Sequence, residues 1–126
     1  MKTIIKTDKA PAPIGPYNQA VLVNGTLYMS GQVAIDPVTN ELIEGTVEDE
    51  AKQVMKNLEA VLQAANMSFE HVVKTTIFLK DMNDFATVNK VYGSYFNEAN
   101  APARETVAVR HLPKFVSVEI AMIAIE

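Results

Sequence analysis

The sequence predicts a mixed α/β domain in which two amphipathic helices lie over one face of a mixed β-sheet. Three patterns carry that reading. Two stretches with apolar residues at helical spacing alternate with strands in the middle of the chain. An Asn24-Gly25 pair sits between two β-patterned runs, and the last segment, Val118 to Ile125, is apolar at both strand parities. Helices between strands imply parallel crossovers, which place those helices against the sheet. With 126 residues the chain reads as one domain, residues 1–126, long enough for a real core and too short for two.

The elements follow in order. Ala10-Pro11-Ala12-Pro13-Ile14-Gly15-Pro16 excludes helix and central strand, so it should be a stiff extended loop that delivers Tyr17 to a fixed place. Val21-Leu22-Val23 and Thr26-Leu27-Tyr28-Met29-Ser30 flank Asn24-Gly25, which supplies the two positive-φ positions of a type I′ hairpin turn. Thr46 and Asp49 form a capping-box pattern. Behind them Ala51, Val54, Leu58, Val61, Leu62 and Ala65 fall on one helical face, and Asn66 can end the helix in a left-handed conformation. Val72 to Leu79 reads as a strand. Asn83 is expected to cap a second helix with its stripe at Phe85, Val88, Val91, Tyr92 and Tyr95, and two strands finish the chain. The final one should be buried on both faces. Two helices cover only one side of a sheet, and an uncovered apolar face of that size marks an interface, so a homo-oligomer is expected.

Composition narrows the function. A hydrophobic content of 48% excludes a disordered chain, and a net charge of −4 with scattered Lys and Arg argues against nucleic acid as the main ligand. The absence of cysteine excludes disulfides, thiolate catalysis and Cys-based metal sites. His71 and His111 lie far apart without metal-ligand spacing, so no metal site is expected, and both read as surface histidines. No apolar run suits a signal peptide or membrane span; the chain is read as soluble and cytoplasmic.

Two charges stand out in this apolar background. Glu119 is a lone carboxylate in the last strand, where an uncompensated charge costs several kcal/mol. Arg104 starts the preceding strand directly after Pro102-Ala103. Together they point to a small polar site set into an apolar sheet.

The segments Ile14-Gly15-Pro16-Tyr17, Ser30-Gly31-Gln32, Asp84-Phe85-Ala86-Thr87-Val88-Asn89, Pro102-Ala103-Arg104, Leu112-Pro113-Lys114 and Val118-Glu119-Ile120 occur in this order. Along nearly its whole length the chain resembles the reactive intermediate/imine deaminase family, and with Tyr17, Arg104 and Glu119 all present it is most similar to the archetypal deaminase subgroup. The resemblance implies a chorismate-mutase-like α+β fold of about six strands, assembled as a homotrimer with the sheets facing inward and sites in clefts between subunits. The implied activity is hydrolysis of 2-imino acids, such as 2-iminobutanoate and 2-iminopropanoate, to 2-keto acids and ammonia. Pyridoxal-phosphate enzymes acting on threonine or serine release such imines. No metal or organic cofactor is implied.

Each residue has a functional and a structural reading. Arg104 is a bidentate clamp for the substrate carboxylate, or a salt bridge at a strand end. Glu119 holds the attacking water and relays a proton, or is an internal ion-pair partner. The resemblance brings Tyr17 into the pocket; otherwise it is a packing aromatic. Ser30 and Gly31 let backbone groups approach the ligand, or simply end a strand. Asn89 offers a pocket-side hydrogen bond or is a surface asparagine. At Thr106 the family often has cysteine; the threonine is compatible if the backbone carbonyl there holds the substrate nitrogen. Glu105 departs from the family's small residue and, by alternation, should point away from Arg104. The competing classes are a non-catalytic carboxylate-binding or regulatory protein, which needs Arg104 but not Glu119; an RNA-cleaving or RNA-binding protein, which needs a basic groove; and a chorismate mutase, which needs several cations.

Overall fold

Asn24 and Gly25 take φ values of 48° and 81°, the double positive-φ pattern expected of a type I′ turn. In the computed structural model, which describes residues 1–126, the hairpin they close joins β2 (Ala20–Val23) to β3 (Thr26–Met29). Two elements escaped the sequence reading: an N-terminal strand, β1 (Thr3–Ile5), and a small hairpin of β4 (Ile35–Asp36) and β5 (Glu41–Leu42). They are only two or three residues long, too short for a period of two to register.

Helix α1 (Val47–Ala64) starts on the expected capping box: the Thr46 hydroxyl accepts from the Asp49 N–H at 3.2 Å, and the Asp49 carboxylate accepts from the Thr46 N–H at 3.0 Å. Asn66 follows its end at φ 58°. β6 (Val72–Leu79) leads to α2 (Phe85–Gly93), then β7 (Ala103–Ala108) and β8 (Val118–Ile125). Asn83 is not the cap of α2. A 3-10 turn, Met82–Asp84, precedes the helix, and the Asp81 carboxylate caps that turn by accepting from the Asn83 N–H at 2.9 Å. Tyr95 lies past the end of α2 and packs edge-on against Phe69, ring centres 5.3 Å apart.

The six-stranded sheet runs β1-β2-β3-β8-β6-β7; β6 and β7 pair in parallel through the α2 crossover, and the other neighbours are antiparallel. Both helices cover the same face. There Leu27, Ile77, Leu79, Val118, Ile120 and Met122 join Val54, Leu58 and Leu62 of α1 in one core. β8 is an interior strand, but only one of its faces is buried within the chain. Val118, Ile120, Met122 and Ala124 lie under the helices, whereas Glu119, Ala121 and Ile123 are half-exposed on the open face. On that face Ile4, Val21, Tyr28 and Ile123 form an apolar row across four strands. The second apolar parity of β8 thus belongs to a surface this chain leaves uncovered. No helix is long and apolar enough to cross a membrane.

Candidate functional site

Glu119 projects from the open face of β8 into a cleft of about 380 Å³ bounded by Tyr17, Ser30, Gly31 and Lys114. The cleft exists because a loop is tied down beside the sheet. Gln19, 4% exposed, accepts from the Thr7 N–H at 2.7 Å and donates to the Ala10 and Pro11 carbonyls at 3.2 and 2.9 Å. This anchors the proline-rich segment whose end presents Tyr17, a half-exposed ring whose hydroxyl accepts from the Ile14 N–H at 3.4 Å. The Ser30 hydroxyl donates to the Asn18 carbonyl at 2.6 Å, so it secures the loop to the end of β3. On the helix side, buried Asn57 holds the Val33 and Ile35 carbonyls at 3.2 and 3.0 Å and so fixes the strand that follows Gly31.

Within the chain the Glu119 carboxylate makes no ion pair and no hydrogen bond to a neighbouring side chain. Burial alone pushes its pKa above the ordinary 4.5. A half-buried carboxyl of this kind can hold a water and exchange a proton with it. Lys114, at the rim, has φ 56° and ψ 17°, a left-handed conformation imposed on a non-glycine residue next to Pro113.

Arg104 lies elsewhere. It projects from β7, the edge strand, toward α2. Its guanidinium donates to Asn89 Oδ1 at 2.7 Å and lies 5.1 Å from the centre of the Tyr92 ring and 5.7 Å from that of Phe85. Asn89, off the apolar stripe of α2, therefore reaches the arginine. Thr106, two residues on, turns its hydroxyl into the same apolar crevice, where it is buried without a partner. The remaining guanidinium N–H groups are free of carboxylates in this chain, which suits a fork awaiting an anion. Glu105 points the other way, as alternation requires: it pairs with Lys74 at 2.8 Å and accepts from the Thr76 hydroxyl, which hold its pKa below the usual value.

The ladder shows that Arg104 and Glu119 do not meet within one chain. Arg104 shares a row with Thr75 and Met122 on the helix-covered face, whereas Glu119 shares a row with Phe78 and Val107 on the open face. The expected polar site is thus two separate halves. Tyr17, Ser30 and Gly31 gather around Glu119; Asn89 and Thr106 gather around Arg104. A larger groove of about 670 Å³ runs between the helices, but its walls alternate Lys52 and Lys56 with Glu44, Asp49 and Glu59, and it contains none of these residues. No group of three His, Cys, Asp or Glu side chains is placed to hold a metal. Sequence reasoning missed Gln19 and Asn57, whose work is done through backbone carbonyls far away in the chain. It also gave Lys114 no role, although Leu112-Pro113-Lys114 drew attention to the segment.

The family model described as Endoribonuclease L-PSP matches residues 7–126. A RutC family protein of Synechocystis is 60% identical over 123 residues, covering 97% of this chain and 95% of the relative. The 2-iminobutanoate/2-iminopropanoate deaminase of Mus musculus is 51% identical over 126 residues, covering 100% of this chain and 93% of the relative. Among solved structures, a Rid protein family member of unknown function from Yersinia pestis superposes with a TM-score of 0.97 at 46% identity, with 100% of each chain covered. The chain therefore belongs to the Endoribonuclease L-PSP family, whose relatives carry the names Rid, RutC and imine deaminase.

Proposed function

We propose that this protein hydrolyses small 2-imino acids, such as 2-iminobutanoate and 2-iminopropanoate, to 2-keto acids and ammonia, at sites completed between copies of the chain in a homotrimer. Arg104 and Asn89 come from one subunit; Glu119, Tyr17, Ser30 and Gly31 come from its neighbour. The observation that carries this reading is the division of the site: an uncapped arginine fork on an edge strand, and an unpaired carboxyl with a raised pKa in a cleft on the opposite face. The open apolar row of Ile4, Val21, Tyr28 and Ile123 supplies a surface for the second copy.

In this arrangement the Arg104 fork clamps the substrate carboxylate and fixes the position of the C=N carbon. Glu119 accepts a proton from water as its oxygen adds to that carbon, giving a tetrahedral carbinolamine. The same carboxyl returns that proton to the nitrogen, which becomes an amino group, and then relays the carbinolamine O–H proton to it. The C–N bond breaks, ammonia leaves, and the electrons of the O–H bond form the carbonyl. The Thr106 carbonyl is the proposed partner of the substrate nitrogen. No metal or organic cofactor enters the scheme. The cytoplasm is the proposed place of action, beside the pyridoxal-phosphate enzymes that release such imines.

Coupling the protein to a threonine dehydratase tests the proposal. The free imine should disappear faster, with matching release of ammonia and keto acid, and EDTA treatment should leave the rate unchanged. An imine lifetime identical with and without protein would favour a carboxylate-binding module on the same scaffold. The family's endoribonuclease description provides the other reading, and single-stranded RNA offered to the same preparation decides it: cleavage that Arg104 and Glu119 variants abolish would replace the imine assignment.

A further inference from the structure

The Arg104 guanidinium rests on a platform that the assignments above leave unused. Thr75 and Arg104 are partners in the β6/β7 ladder, and Tyr92 of α2 contacts both. Its ring centre lies 5.1 Å from Arg104 Cζ, and its hydroxyl donates to Thr75 Oγ1 at 3.0 Å. Tyr92 is 5% exposed and Thr75 0%, whereas Asn89 and Phe85, the other contacts of Arg104, are exposed.

A buried hydroxyl pair in this place calls for an explanation. Thr75 is the only polar residue among the buried positions of β6, which are otherwise Val72, Ile77 and Leu79. A phenylalanine against a valine would fill nearly the same space without desolvating two hydroxyl groups. What the hydroxyls add is direction. The bond prevents the Tyr92 ring from tilting on its Cβ, and a cation is held best over a ring face kept in one orientation. Arginine has a large store of rotamer freedom to lose, so a preset guanidinium binds a carboxylate at lower entropic cost. Burial also pushes the Tyr92 phenol above its ordinary value of 10.0, so the hydroxyl remains a donor wherever the protein works.

We infer that Tyr92 and Thr75 are positioning residues for Arg104: their hydrogen bond fixes the ring on which the guanidinium lies, and the ring presents the fork to an incoming carboxylate. The inference rests on the proposed role of Arg104 as the clamp.

The test uses Tyr92→Phe, Thr75→Val, the conservative Thr75→Ser and the double Tyr92→Phe/Thr75→Val. Three readouts are needed: the NMR order of the Arg104 Nε–H, the Kd for 2-ketobutyrate, and imine turnover. In Tyr92→Phe and Thr75→Val the Nε–H signal should shift and become more mobile. Kd and KM should rise together by about 3- to 10-fold, the range of a weakened cation–ring contact, while kcat at saturation stays near wild type. Thr75→Ser should restore all three. The double variant removes both polar atoms, so it should regain thermal stability yet keep the mobile guanidinium and the raised Kd. A purely structural pair makes the opposite forecast: single variants that melt earlier with Nε–H order and Kd unchanged, and that result overturns the inference. If the wild-type protein neither bound 2-ketobutyrate nor consumed imine, the proposed function would fall, and the Nε–H signal would still decide whether the platform orders Arg104.

Discussion

Gly31 stands so close to Glu119 that a Cβ added to it would lie 2.9 Å from Glu119 Cδ and 3.1 Å from Cγ, and would overlap Oε2. The glycine is there for space, since its backbone does not have a positive φ. Gly31→Ala should therefore displace the carboxylate while leaving the sheet intact. Displacing a reacting group by about 1 Å costs on the order of 100-fold in rate, so kcat should fall about 10- to 100-fold with little change in Tm. Steady-state kinetics with a melting curve check this; an alanine variant of unchanged kcat would show that the position of Glu119 does not matter.

Arg104→Lys and Glu119→Gln should fail in different ways. Lysine keeps the charge but loses the planar fork, and a lost charge-assisted bidentate contact costs about 2–4 kcal/mol, or about 30- to 1000-fold in kcat/KM. Glu119→Gln leaves the clamp, so 2-ketobutyrate should still bind while kcat drops. Isothermal titration on both variants separates them. Normal binding by Arg104→Lys would exclude the clamp.

The sequence carried the hairpin, the first helix and the existence of the last strand because each has a strong local signal: Asn24-Gly25, the Thr46/Asp49 box, and an apolar run with a single charge. The burial of that strand on both faces holds within the chain for one face alone. It did not carry the sidedness of the site. Arg104 and Glu119 sit on different strands with β6 between them, and the face each uses depends on register. The bulge at Val72/Lys74 breaks simple alternation in that intervening strand. Asn83 is not the cap of α2 because a 3-10 turn, capped by Asp81, precedes the helix. Asp84 stands at the helix's own N-cap position without a side-chain bond, and sequence spacing does not distinguish that turn from a first helical turn.

The raised pKa of Glu119 fixes the sign of two pH dependences. In its proposed role as the acceptor of a proton from water, Glu119 must be ionised, so kcat/KM should rise with pH through a value above 4.5, and Glu119→Gln should lose that limb. For stability, a carboxyl whose folded-state pKa is raised binds more protons folded than unfolded. Its contribution is greatest below the unfolded value and declines as pH rises through the folded one. Denaturation of wild type and Glu119→Gln at one protein concentration should show this difference narrowing as the medium is acidified.

Gln19→Leu should release the loop that positions Tyr17. The side chain holds Thr7, Ala10 and Pro11 through backbone bonds at 2.7 to 3.2 Å, and buried hydrogen bonds of this kind contribute about 1 kcal/mol each, with a further penalty for the groups left unpaired. A loss of about 2–4 kcal/mol of stability and a raised KM are expected, and protection from hydrogen exchange should fall first in residues 7–17. Unchanged exchange in that segment would show that the proline-rich loop holds itself.

The proposed division of the site between two copies is tested most directly by complementation. Arg104→Ala and Glu119→Ala are each expected to be inactive alone. Unfolded together in equal amounts and refolded, they should form mixed assemblies in which about a quarter of the sites pair an intact Arg104 from one variant with an intact Glu119 from the other, restoring about a quarter of wild-type turnover. A mixture that stays as inactive as its parents, with mixed assembly verified by native mass spectrometry, would contradict a site built between subunits.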